Sequence, residues 1–374
     1  MPPFVIDVRG SEDTRDCIHR AVQALAEGKL VAFPTETIYA LAASALNATA
    51  VARLIAAQRA PSGQGLLTLG IKSSCEALDY VPKMSALGQR LARRCWPGPV
   101  TMVCADHHPE SLLARLPAPV RQALAPSGNI GLSVPWHPMF LDTLKMIVGP
   151  VAMTSAARAG QPDPLTAQEV IANLGDDVAL VLDDGRTRFG QSPSVVKIVD
   201  SDFEIVHAGV VSEQTLRRLS VLSIVFVCTG NTCRSPMAEA MFRTMIATRL
   251  RCAIDELEDR GVSIASAGIS ATMGGRPAPE GVAVLSEMGI DLSYHESQPL
   301  GEQLVRHADI IWTMTRSHRQ AILSQCPEAA GRVHLLSLDG RDIPDPIGGP
   351  IEQYRQCAEL IKAELEQRAK DLQL

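Results

Sequence analysis

Apolar positions along this chain follow two patterns. Short, nearly unbroken runs rich in β-branched residues occur at residues 221–227, 262–269, 308–315 and 333–338. Runs of this kind predict strands buried on both faces of a parallel sheet. Between them, residues 279–289, 317–326 and 351–372 space their apolar positions three and four apart, as helices do. In the last of these, Tyr354, Cys357, Leu360, Ile361 and Leu365 are expected on one buried stripe. Strands alternating with helices predict a doubly wound parallel sheet, with the ligand at the carboxyl edge of its strands.

The amino-terminal half opens with a helix over residues 16–28, with Ala21, Val22, Leu25 and Ala26 at helical spacing and Gly28 closing it. Residues 30–42 then predict a strand, a proline turn and a further apolar run. Residues 201–220 predict a terminal strand followed by a connecting helix, and their lack of Gly/Ser/Pro-rich sequence predicts a stiff join. A chain of 374 residues exceeds one ordinary core, so two domains are expected, over 1–215 and 221–374.

Composition narrows the chemistry. The chain is 46% hydrophobic and 20% charged with a formal charge of −6, which fits a soluble globular protein and opposes a general electrostatic attraction to nucleic acid. Nine cysteines include no Cys-x-x-Cys pair, so a zinc site is not expected, and their odd number suits a reducing cytoplasm. The first residues lack the charged start and apolar core of a signal peptide, and no run is long enough to span a bilayer. His295, His307, His318 and His334 show no metal spacing and read as packing or surface residues. Trp312 and Met314 read as core.

The candidate chemistry lies where the 221–227 run ends, at Cys228-Thr229-Gly230-Asn231-Thr232-Cys233-Arg234-Ser235. Gly230 and Asn231 are the residue types that most readily take positive φ, so a tight loop can turn its amides inward around an anion. Pro236 suits the first turn of a helix whose amino terminus points at the same place. A cysteine ordinarily titrates near pH ~8.5; inward amides, a helix terminus and a guanidinium together favour its thiolate. Cys228 is therefore the candidate nucleophile, Arg234 the fork for two phosphoryl oxygens, and Ser235 a hydrogen-bond donor to the sulfur. Cys233 is a candidate partner for an oxidised Cys228 or, equally, a small loop-packing residue.

CTGNTCRSPMAEA resembles the motif of the low-molecular-weight protein tyrosine phosphatase family, and the likeness runs on through SAGI at 266–269, HADIIWTMT at 307–315 and DIPDPIGG at 342–349. The resemblance implies that Asp345, before Pro346, is the general acid, and that no metal or cofactor is needed. Thr232, where tyrosine-directed members carry a bulky aliphatic residue, resembles the protein arginine phosphatases of the same family. Ile347 stands where tyrosine-specific relatives place an aromatic. Phosphoarginine is thus expected ahead of phosphotyrosine. Arsenate reductases of this fold need a later cysteine pair; no cysteine lies between Cys252 and Cys326, which leaves that activity a minor alternative.

The first two hundred residues resemble the YrdC-like threonylcarbamoyl-AMP synthase family through PTETIYAL at 34–41, WPGPVT at 96–101 and TSAARAG at 154–160. This implies a twisted α/β sheet around a large open cavity and, in an active member, the use of ATP, threonine and bicarbonate for tRNA modification. The departures fall on ligand positions. The family's Lys-x-Arg reads Ala57-Gln58-Arg59; Ala157 and Ala159 replace an asparagine and a serine; Ser133, Pro193 and His207 stand for an arginine, a serine and an arginine. Each loses a donor or a charge, so a degenerate or altered site is expected. Thr35, Arg59, Thr154, Ser155 and Ser194 remain as candidate contacts, or as residues satisfying turns and strand ends. The expected whole is a phosphatase acting on phosphorylated protein, fused to a nucleotide- or RNA-related module with double-stranded RNA as one partner. The alternatives are a bifunctional enzyme that also makes threonylcarbamoyl-AMP, or a ligand- or RNA-sensing module that regulates the phosphatase.

Overall fold

The structure is a computed structural model and describes residues 2–11, 13–58, 67–106 and 108–372. The chain divides into two compact units, Met1–Leu219 and Ser220–Leu374.

The first unit is built on a mixed sheet. Its strands are β1 (Phe4–Asp7), β2 (Val31–Pro34), β3 (Tyr39–Ser44), β4 (Thr68–Gly70), β5 (Val100–Ala105), β6 (Asn129–Ser133), β7 (Val151–Ser155), β8 (Leu180–Asp183), β9 (Ser194–Val199) and β10 (Asp202–His207). They run in the order β1-β8-β2-β3-β7-β4-β6-β5-β9-β10. β2, β3, β4 and most of β5 to β8 are buried on both faces, which explains their unbroken apolar runs. The helix Thr14–Ala26 lays Cys17, Ile18, Ala21, Ala24 and Leu25 on one face of this sheet, and its amino terminus is capped by the Asp13 carboxylate. The predicted terminal strand is β10. The helix after it, Glu213–Ser220, buries Leu216 in a second apolar cluster of the unit together with Phe203, and Arg217 lies over the Phe203 ring at 4.4 Å.

The second unit is a parallel sheet of β11 (Leu222–Cys228), β12 (Val262–Gly268), β13 (Ile310–Thr313) and β14 (Val333–Leu335) in the order β12-β11-β13-β14. β11 is thus where the winding reverses, and its carboxyl end opens into the crevice such a reversal creates. The sequence of β11 serves two cores. Ile224, Phe226 and Cys228 face the helices Arg234–Leu250 and Ile351–Asp371, while Val225 and Val227 face Val305 and Ile322. Phe226, Phe242 and Trp312 close the first core as an aromatic cluster with centroids 5.3–5.6 Å apart. One expectation on the last helix fails: Leu360 is 50% exposed, and Ala358 takes its place beside Tyr354, Cys357, Ile361 and Leu365. Leu360 is two positions past Ala358, which on a helix turns it out of the stripe.

Candidate functional site

Cys228 ends β11, and the helix Arg234–Leu250 begins six residues later. The intervening loop folds back over the sulfur. Asn231 takes φ +55°, and its amide N–H donates to Cys228 Sγ at 3.2 Å. Gly230 does not adopt positive φ, contrary to expectation; the reversal is made by Asn231 alone. Asn231 is fully buried and holds the turn from four sides. Its Nδ2 donates to Ser235 Oγ at 3.0 Å and to Ser266 Oγ at 2.8 Å, its Oδ1 accepts from the Gln298 amide at 2.9 Å, and its carbonyl lies 2.9 Å from His295 Nε2. Ser235 Oγ accepts from Asn231, and its own hydrogen has two acceptors in reach, Cys228 Sγ at 2.9 Å and the more distant Ala267 O at 3.5 Å.

β12 supports the loop from beneath. A Cβ at Gly268 would lie 2.5 Å from Thr229 O and 2.9 Å from Asn231 N, so the glycine of the SAGI motif is required by the close approach of the loop backbone. Ser266 passes the support on to Glu239 Oε2 at 2.7 Å.

Arg234 is 4% exposed. Its Nη1 donates to Ile343 O at 3.0 Å, its Nη2 pairs with Asp345 Oδ2, and its Nε has no partner. The loop 339–349 therefore brings Asp345 to the guanidinium across more than a hundred residues of sequence. Ile347, on the same loop, is 69% exposed. Thr232 is half-buried, its carbonyl accepting from the Ala278 amide at 2.9 Å and its Oγ1 lying 3.6 Å from Cys233 Sγ. Cys233 Sγ is 3.5 Å from Tyr354 OH. Beside them Cys357 donates to Pro344 O at 3.6 Å, its thiol pushed up to about 12 by burial.

Two histidines read from the sequence as packing or surface residues belong to this site. His318 is buried, with Nε2 3.0 Å from Thr229 Oγ1. Burial first, and then the nearby Arg234, lower its pKa to about 4, so it is neutral at physiological pH. His295 holds the Asn231 carbonyl. Nothing in the local sequence of either residue signals this, since each reaches the loop only through the fold.

In the first unit Thr35, Thr154 and Ser155 line one cavity of about 280 Å³, together with Gln58, Ser133, Asp163, Ser192 and His207. Its polar groups are tied to one another. Gln58 Nε2 donates to Thr154 Oγ1, and Asp163 accepts from Ser155 Oγ and Ser192 Oγ, both at 2.5 Å. Thr35 Oγ1 donates to Ile38 O at 2.6 Å within its own turn. Ser194 does not join them: it is fully buried, donating to Val211 O at 2.8 Å and accepting from the Val211 amide at 2.9 Å. Arg59 lies outside the described residues. Among the described lining residues the formal charges are Glu36 and Asp163, with no lysine or arginine. A second cavity of about 370 Å³ adjoins it and shares Thr35 and Glu36 with the first.

A cysteine and an arginine are thus gathered by a loop at the reversal point of the parallel sheet of an α/β unit, which the chain joins to a mixed-sheet unit. The chain belongs to two families, one for each unit: residues 223–374 match the family described as low molecular weight phosphotyrosine protein phosphatase, and residues 23–209 match the Sua5/YciO/YrdC family, described as telomere recombination. Over 155 residues the chain is 41% identical to a protein-arginine-phosphatase of Bacillus subtilis, covering 40% of this chain and 97% of that protein. It is 33% identical over 184 residues to a threonylcarbamoyl-AMP synthase of Pyrococcus abyssi, covering 49% of this chain but only 51% of the synthase's length. A low molecular weight protein tyrosine phosphatase from T. tengcongensis, of known structure, is 35% identical over 40% of this chain and 99% of its own, with a TM-score of 0.36. The second unit is thus a low-molecular-weight phosphatase domain and the first a Sua5/YrdC domain. Among the described residues no helix is long and apolar enough to cross a membrane.

Proposed function

We propose that residues 221–374 form a metal-independent phosphatase domain that acts on phosphorylated protein side chains through a Cys228 phosphoenzyme. The observation that carries this is the convergence of the Asn231 amide and Ser235 hydroxyl on Cys228 Sγ, with the Arg234 fork and the Asp345 carboxyl paired beside them. In this reading Cys228 Sγ attacks phosphorus while Asp345 gives a proton to the departing atom, and the S–P bond forms as the bond to the side chain breaks. Water, its proton taken by Asp345, then attacks phosphorus and releases phosphate and the thiolate. Arg234 and the amides of Thr229 to Cys233 hold the equatorial oxygens throughout. The reaction needs a reduced thiol, which favours a cytoplasmic setting.

Phosphoarginine is the favoured substrate. It is supported by Thr232 at the loop rim, by the exposed aliphatic Ile347 in place of a stacking ring, and by the likeness to the Bacillus arginine phosphatase. Side-by-side turnover of phosphoarginine and phosphotyrosine peptides tests it. Thr232→Ile is expected to move the preference toward phosphotyrosine, Cys228→Ser to abolish both activities, and an unchanged preference in Thr232→Ile removes the arginine reading.

For residues 1–215 the proposal is a degenerate synthase site. Ala57 stands where the family has a phosphate-binding lysine, its neighbour Gln58 engages Thr154, and the described lining residues carry the carboxyl groups of Glu36 and Asp163 with no lysine or arginine, which disfavours a triphosphate. Charge-assisted contacts contribute about 1.5–3 kcal/mol each, so losing several weakens nucleotide binding by orders of magnitude. Calorimetric titration with ATP and threonine is expected to give no threonine-dependent tight binding; tight binding would establish the bifunctional alternative instead.

A further inference from the structure

Thr229 follows the nucleophile directly and, unlike Cys228, it is exposed. Its carbonyl accepts from the Ser270 amide at 3.0 Å, which fixes the main chain, and its Oγ1 lies 3.0 Å from His318 Nε2. His318 stands in the first turn of the helix Arg316–Gln325, where its amide donates to the capping Thr315 Oγ1 at 3.3 Å. The cap therefore delivers the ring to the loop from the end of β13. After burial, the charges that act on this ring are those of Arg234, Asp345 and Asp342, so the ring and Thr229 Oγ1 lie on the side of the loop that Asp345 approaches.

A neutral imidazole carries one hydrogen. His318 is buried and its Nδ1 has no partner, so a hydrogen on Nδ1 would be a buried donor without an acceptor. The hydrogen belongs on Nε2, where Thr229 Oγ1 accepts it. A leucine would fill the same space without an unsatisfied nitrogen, so packing alone does not call for histidine here. What histidine adds is a fixed hydroxyl. With one lone pair engaged by Nε2–H, Thr229 Oγ1 keeps its second lone pair and its own hydrogen at the exposed rim of the loop.

A phosphoarginine side chain brings several N–H groups to this rim. Asp345 serves the departing nitrogen, and the remaining N–H groups, stripped of water, need acceptors of their own. The phenyl ring of phosphotyrosine carries no such donor and would cover the hydroxyl without replacing the water it loses, so an acceptor here separates the two substrates. We propose that Thr229 is a specificity-determining residue, its hydroxyl oxygen accepting from a guanidinium N–H of phosphoarginine, and that His318 is the residue that positions it. The inference rests on the reading of residues 221–374 as a Cys228 phosphatase and adds to it a contact for the guanidinium besides Thr232.

The test measures kcat and KM of the full chain on one peptide carried in a phosphoarginine and a phosphotyrosine form. Thr229→Val keeps the shape and the main-chain amide. It is expected to lower the ratio of kcat/KM for phosphoarginine over phosphotyrosine by about tenfold, chiefly through KM, because the contact is made in the bound substrate as well as in the transition state. Thr229→Ser, which keeps the hydroxyl, should recover most of the ratio. His318→Leu should lower the ratio severalfold by freeing the hydroxyl, and His318→Gln, whose amide can donate in place of Nε2, should restore part of it. With Thr229 already valine, His318→Leu should lower the ratio no further, an outcome that a merely structural histidine would not give. An unchanged ratio in Thr229→Val, independent effects of the two residues, or a wild type that cleaves phosphotyrosine alone overturns the inference and leaves the phosphatase reading standing. Wild type that cleaves neither peptide, or Cys228→Ser that cleaves both, removes that reading and this inference with it.

Discussion

Asn231 gives the most direct test of how the loop is built, because two substitutions there separate backbone strain from side-chain support. Asn231→Ala deletes the donors to Ser235 and Ser266 and leaves the Gln298 amide without its acceptor, in a site that is fully buried. An orphaned buried amide costs about 1–3 kcal/mol, and alanine held at φ +55° costs about 1–2 kcal/mol more. The sum, about 2–5 kcal/mol, is a large part of the stability of a unit this size. Asn231→Gly loses the same hydrogen bonds but not the strain. Set against the greater chain entropy of glycine, that leaves it about 0.5–1 kcal/mol more stable than the alanine variant. Urea dependence of hydrogen exchange at the β11 amides measures both variants in the second unit alone. Turnover of a phosphopeptide reads the second consequence. With Asn231 untethered its amide no longer aims at the sulfur, and kcat is expected to fall on the order of 10- to 100-fold in both variants. Equal stability of the two variants would refute the strain argument, and unchanged kcat would refute the role of the turn in presenting the thiol.

Other outcomes follow from the same geometry. Asp345→Asn should lower kcat by about 10²–10⁴-fold and remove the limb of the pH–rate profile that reports a general acid, while KM changes little. His318 is neutral when folded down to about pH 4 but takes a proton near its ordinary value of 6.5 when unfolded. The unfolded state therefore binds more protons in that interval, and stability falls as pH drops from about 6.5 to 4, by about 1–2 kcal/mol after solvent screening is allowed for. His318→Gln should flatten that part of the stability–pH curve. Gly185→Ala, with φ +72° and Arg9 in the way, is expected to displace Arg9 from Asp184 and to cost about 1–2 kcal/mol in the first unit, read by urea unfolding.

What the sequence made legible was whatever depended on near neighbours. β11 could be read because Ile224 to Cys228 are buried and every position except Ser223 is apolar, and the boundary slipped by one residue only, since Leu222 and Cys228 still pair in the ladder. The loop from Cys228 to Ser235 was readable for the same reason, its parts lying within eight residues. Leu360 was misplaced because a stripe drawn by composition took every large apolar residue, while the 3.6-residue turn admitted alanine at 358 instead. His318, His295 and Gln298 act on the loop from 64 to 89 residues away, a relation no periodicity encodes. In the first unit the contacts of Gln58 with Thr154 and of Asp163 with two serines were not legible, because they join segments that meet only in the folded sheet.

The bare backbone of Gly268 under Thr229 and Asn231 has a consequence for how variation in this protein should be interpreted. A methyl group there would push on the main chain that surrounds the sulfur, so damage would appear first as lost turnover and only later as lost protein. Tolerance at Ser266 and Gly268 should therefore track that of residues 228–235, and depart from that of Ile264 on the same strand, which only fills the core.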